Sequence, residues 1–157
     1  MIWRTKEISV MTNQVISVAG IDLDATASSK EEAVSLCADK LIELKAVEKE
    51  YKKAMWEREN IISSYVGSFV AIPHGTNQSR NVVNFDQIVF LRFKNEINWG
   101  DGPVRICCGI ASKNDEHIQI LGNLAQALLK PNAIDNLLST NNKDEIIEIL
   151  TKSEDEE

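Results

Sequence analysis

Apolar positions along this chain recur with two different periods. After Ser28-Ser29-Lys30-Glu31, which has the form of a capping box, Ala33, Leu36, Cys37, Leu41 and Leu44 fall on one face of a predicted helix. A second helix is predicted over about residues 48–60, with Tyr51, Ala54 and Met55 facing inward. Ile120, Leu121, Leu124 and Leu128 mark a third, beginning after Asn114-Asp115; Pro131 starts a short fourth, and Ile146, Ile147 and Leu150 indicate a closing one. Between them lie short apolar runs that read as buried strands: around residues 15–21, just before Pro73, and over 85–93 and 104–111. The last two are separated by Trp99-Gly100-Asp101-Gly102-Pro103, which has turn chemistry. Helices alternating with compact strands predict an α/β protein, a three-layer sandwich in which helices flank a central mixed sheet.

Composition narrows this picture. A chain of 157 residues is expected to form one domain, with its core over about residues 11–151 and with residues 1–10 and the tail 152–157 peripheral. Met11 is a possible alternative start. The net charge is −7, and four of the negative charges sit in Glu154-Asp155-Glu156-Glu157, a segment expected to be frayed. An acidic balance disfavours nucleic acid and is compatible with a basic protein partner. No apolar stretch is long enough to span a bilayer, and the first twenty residues lack a secretory pattern, so direct membrane insertion is not expected and a cytoplasmic location is. Cys37, Cys107 and Cys108 show no zinc spacing or disulfide framework and read as small buried hydrophobes, the adjacent pair facing opposite sides of a strand.

Three polar residues interrupt the apolar pattern. Arg58 falls seven residues after Tyr51 on the inward stripe of the second helix, where it either snorkels to the rim or meets a buried anion. His117 begins the stripe of the third helix. It is either a satisfied core histidine or, in a first turn whose dipole favours neutral imidazole, a donor to an anion. The run Phe69-Val70-Ala71-Ile72-Pro73-His74-Gly75-Thr76 presents His74 where proline is expected to stop a strand. His74 either supports a tight turn or acts as a nucleophile, since neutral imidazole is competent to accept a phosphoryl group.

Together, Arg58-Glu59-Asn60, Tyr65-Val66-Gly67 and Val70-Ala71-Ile72-Pro73-His74-Gly75-Thr76 resemble the enzyme IIA signature of the bacterial phosphotransferase system, in its mannitol–fructose family. Gly109-Ile110-Ala111 through Glu116-His117-Ile118-Gln119-Ile120-Leu121 resembles that family's second signature, particularly the mannitol branch. The resemblance runs from about residue 28 to 150. It implies that His74 is phosphorylated by the phosphocarrier HPr and passes the group to a cysteine of a cognate enzyme IIB, for uptake of mannitol or a related polyol. It implies that His117 orients and stabilises the phosphoryl group, that Arg58 neutralises its charge, and that no metal or organic cofactor is required. Gly75 and Thr76 are weaker candidates as backbone or hydroxyl donors. Ser68 departs from the pattern, standing where some mannitol-type relatives carry a glutamate. Two other readings compete. One is the nitrogen-related regulatory branch, where phosphorylation controls protein binding without sugar transport. The other is a metal-dependent hydrolase using His74, His117 and Asp115, which lacks an HxxxH or comparable ligand set.

Overall fold

The computed structural model describes residues 15–113 and 117–151, without the side chains of His117 and Ile118. The expectations for residues 1–10, Met11 and the acidic tail lie outside the described residues. In chain order the elements are β1 (Ile16–Ala25), α1 (Lys30–Glu43), α2 (Tyr51–Ile61), β2 (Tyr65–Gly67), β3 (Val70–Ala71), a 3₁₀ turn (Asn77–Val82), β4 (Gln87–Asn98), β5 (Pro103–Ala111), α3 (His117–Leu129), α4 (Ala133–Ser139) and α5 (Lys143–Thr151). The strands form one mixed sheet in the order β1-β4-β5-β3-β2. β1 runs parallel to β4 and β3 parallel to β5, whereas β4–β5 and β2–β3 are antiparallel pairs.

Each face of the sheet buries its own core, which makes the three layers expected from the alternating pattern. One core joins Cys37 and Leu41 of α1, Met55 of α2, and Phe93 and Cys107 of the sheet. The other joins Phe90, Ile106 and Cys108 to Leu124 of α3, Leu137 of α4 and Ile146 of α5. Successive strand residues point to opposite faces, so the adjacent cysteines divide between the two cores as expected. Burial pushes both thiols well above the usual cysteine range, which suits them to apolar packing and not to nucleophilic work.

Element boundaries shift for identifiable reasons. The capping box sits one residue later than the pattern suggested. Ser29 Oγ accepts from the Glu32 amide at 3.1 Å, and the Glu32 carboxylate returns to Ser28 N at 3.3 Å and Ser28 Oγ at 3.2 Å. The second helix begins at Tyr51 because Glu48 N–H is taken by Val82 O at 2.8 Å, which holds that segment outside the helix. β4 begins at Gln87, leaving Phe85 exposed, and a register shift between Arg92 and Ile97 carries it on to Asn98.

Arg92 is the main polar intrusion into the second core. It is buried, and its guanidinium donates to Leu23 O at 3.2 Å, Leu137 O at 3.1 Å, Thr140 O at 2.6 Å and Asn141 Oδ1 at 3.4 Å. One side chain thus ties β4 to β1 and to the α4–α5 junction. Arg92→Met keeps the bulk but leaves those carbonyls without their donors, so urea denaturation is expected to show a loss of about 2–4 kcal/mol.

Candidate active site

β3 is short, yet it fixes the position of His74. Val70 pairs with Ile106 and Ala71 with Cys107, and the same register continues to a bridge between His74 and Ile110. The regular strand ends at Ala71, ahead of the proline as expected, yet Pro73, which has no N–H, still accepts from Ile110 N at 2.9 Å, so contact with β5 continues past it. Val70 and Ile72 both face the core covered by α3, and strand alternation assigns His74 to the same side. The imidazole is half-buried, with Nδ1 at 3.1 Å from Ile72 O. A carbonyl can only accept, so Nδ1 carries the hydrogen, and whenever the ring is neutral its lone pair is on Nε2.

Beside His74 lies a small recess of about 20 Å³, room for roughly one water, lined in part by Tyr51, Gly75, Ser79, Arg80 and Ser112. Tyr51 closes its floor. The phenol donates to Ile110 O at 2.9 Å and accepts from Gly75 N at 2.8 Å, joining the two backbone segments that flank the imidazole. A Cβ on Gly75 would stand 2.5 Å from the Tyr51 ring and 2.6 Å from Ser79 Oγ, so close approach requires glycine here. The Gly75 amide is therefore committed to Tyr51 and not to an anion. Thr76 O receives both Ser79 N at 3.1 Å and Ser79 Oγ at 2.6 Å, which winds the following 3₁₀ turn tightly onto the histidine segment.

Arg58 and His117 stand differently. Arg58 is half-buried near the end of α2, about 10 Å along the helix axis from Tyr51, and its Nη1 donates to Ile62 O at 2.9 Å. It does not line the recess beside His74; Arg80 does. His117 is the first residue of α3, as the pattern predicted. Four residues separate it from Ser112 at the recess, a tether of at most about 18 Å. The direction of its side chain lies outside the described residues.

Glu59, next to Arg58, is a buried hub. Its Oε1 accepts from Trp99 Nε1 at 2.7 Å and from Ser64 N at 3.1 Å, and Lys30 Nζ lies 3.6 Å away. Lys30 also sits 5.5 Å from the centre of the Trp99 ring. Ser64 O in turn receives Ile72 N at 3.0 Å, so the carboxylate anchors the loop that supports the strand ahead of His74. Ser68, the departure from the family pattern, occupies an exposed hairpin tip. With Phe69 it forms the two-residue turn between β2 and β3, both at positive φ (53° and 70°).

Sequence reasoning missed Tyr51, Glu59 and Arg80 as parts of this site. Tyr51 carried a signal, because a tyrosine on an inward stripe must find a partner for its hydroxyl. Glu59 and Arg80 carried none without the tertiary pairing.

A half-buried imidazole with a defined tautomer, held at a strand end beside a polar recess, suits a protein that accepts a small group on nitrogen. The chain belongs to the phosphoenolpyruvate-dependent sugar phosphotransferase system EIIA 2 family, whose profile matches residues 14–153. Members of this family are phosphotransferase components. The chain is 35% identical over 140 residues to a mannitol-specific phosphotransferase enzyme IIA component of Bacillus subtilis, covering 88% of this chain and 98% of that protein. It is 40% identical over 137 residues to a mannitol-specific EIICBA component of Vibrio cholerae, covering 85% of this chain but only 21% of that longer protein. The fold matches IIA mannitol from Escherichia coli, solved alone (34% identity, TM-score 0.79, 85% of this chain and 97% of that one). It also matches that protein in a complex with phosphorylated enzyme IIB (33% identity, TM-score 0.79, 85% and 95%).

Tyr51 predicts a pH dependence. Burial, only partly offset by the Gly75 amide, pushes its phenol up from 10.0 to about 12. The folded state therefore keeps this proton in a window where the unfolded chain has lost it. The stability involved is complete below pH 10 and falls between pH 10 and 12 by about 1.4 kcal/mol per pH unit. Chemical denaturation across that window should show this component of the slope in the native protein and its absence in Tyr51→Phe.

Proposed function

We propose that this chain is a phosphocarrier for uptake of mannitol or a related polyol, holding the phosphoryl group on His74 Nε2. Its donor is HPr and its acceptor is a cysteine of a cognate enzyme IIB. The observation that carries the reading is the 3.1 Å contact between His74 Nδ1 and Ile72 O, which leaves the lone pair of a neutral ring on Nε2. The relatives named above support the mannitol assignment and the enzyme IIB acceptor. The working unit is one enzyme IIA domain with its core over about residues 11–151, acting in the cytoplasm.

The chemistry is two in-line displacements. In the first, Nε2 attacks phosphorus, the N–P bond to the donor histidine breaks, and an N–P bond to His74 forms. Because Nδ1 keeps its hydrogen, the phosphorylated ring is cationic, and the Ile72 carbonyl that accepts from Nδ1 stabilises that charge. In the second, the thiolate of enzyme IIB attacks phosphorus, an S–P bond forms as the N–P bond to His74 breaks, and the imidazole leaves in its neutral tautomer. His117 would steady the phosphoryl oxygens from the first turn of α3. Arg58 would neutralise their charge, which requires it to exchange its bond to Ile62 O for one to phosphate.

Incubation with phosphoenolpyruvate, enzyme I and HPr should place one acid-labile phosphate on the protein and none on His74→Ala. Labelling of that variant at the native rate would refute the site. Transfer onward to a mannitol-type enzyme IIB is expected; phosphorylation without transfer to any enzyme IIB would favour the nitrogen-related regulatory role.

A further inference from the structure

We propose that Arg80 is a second guanidinium for the phosphoryl group, placed at the recess before any movement of Arg58. The inference rests on the assignment of His74 as the phosphorylated residue. Two observations carry it. Among the described residues that line the recess beside His74, Arg80 is the one with a permanent positive charge. Arg80 also belongs to the same rigid unit as the nucleophile. Its 3₁₀ turn is wound back onto Thr76, Ser79 abuts Gly75, and Nη2 is anchored 3.1 Å from Asn77 Oδ1.

A guanidinium has five N–H donors in a planar fork, which lets it keep protein partners and meet an anion together, and it stays charged at any physiological pH. The recess has room for roughly one water, and the phosphoryl group on His74 is taken to sit at its mouth. There Arg80 meets the equatorial oxygens as negative charge gathers on them. Arg58, bonded to Ile62 O, does not line the recess. Two arginines divide the work: Arg80 is preorganised on the histidine turn, and Arg58 is recruited.

The test is rapid-mix phosphorylation by phospho-HPr of the native protein, Arg80→Gln, Arg80→Lys, Arg58→Gln and His74→Ala. Melting temperature is measured for each. Arg80→Gln is expected to lower the maximal rate of uptake by about tenfold or more, with the half-saturating donor concentration little changed. Arg80→Lys should restore part of the rate. Two results would overturn the assignment. One is an Arg80→Gln rate within twofold of native; the other is a raised half-saturating concentration at unchanged maximal rate, which would make Arg80 a docking contact. If Arg80→Gln melts early, Arg80→Lys is read alone: a folded Lys variant that has lost the full tenfold would equally contradict it, because charge retention would then be irrelevant. Full labelling of His74→Ala would instead mean that the phosphohistidine reading itself has failed.

Discussion

The site depends on β3 keeping one hydrogen-bond register against β5 past the end of the regular strand. Val70, Ala71 and His74 face Ile106, Cys107 and Ile110 at a constant offset, and the Pro73 carbonyl holds that offset where proline cannot donate. A slip of one residue would turn the imidazole to the other face of the sheet. Everything near His74 guards against that slip. The Tyr51 hydroxyl joins Gly75 to Ile110, and Ser64 O receives the Ile72 amide. The imidazole is thus positioned by backbone pairing, and its Nδ1 is engaged by the same backbone through Ile72 O.

The buried carboxylate of Glu59 shows how distant parts of the fold serve this arrangement. Two donors and a cation converge on one oxygen: the Trp99 indole from the β4–β5 turn and the Ser64 amide from the loop before β2 donate to it, and the Lys30 ammonium from the start of α1 pairs with it. A buried carboxylate is tolerated only with such company. The Arg-Glu pair of the family signature therefore divides into two tasks. Glu59 sets the loop on which β3 rests, and Arg58 stays near the surface, where its present bond to a backbone carbonyl is exchangeable.

Much of this was legible in the sequence, and the reasons are physical. Helical stripes and short apolar runs revealed the layers because each element must bury one face; Cys107 and Cys108 fell on opposite sides for the same reason. His74 was visible through its Pro-Gly frame and His117 through its place at a helix start. What stayed hidden came from contacts between residues far apart in the chain. The Val82 carbonyl delays the start of α2, the Arg92→carbonyl bonds tie strands to helices, and the bridge to Ile110 carries pairing through a proline. None of these leaves a periodic trace. Arg58 was placed on the correct stripe, but two turns of helix separate it from Tyr51, and only the folded arrangement reveals that Arg80 lies at the recess instead.

The central claim is that His74 accepts a phosphoryl group on Nε2 because Ile72 O holds the hydrogen on Nδ1. Nitrogen-15 labelling of histidine, followed by phosphorylation and NMR detection of the phosphorus–nitrogen coupling, tests it directly. The account predicts coupling to Nε2 of His74, with the Nδ1 hydrogen retained. Coupling to Nδ1 of His74, or to either nitrogen of His117, would contradict it.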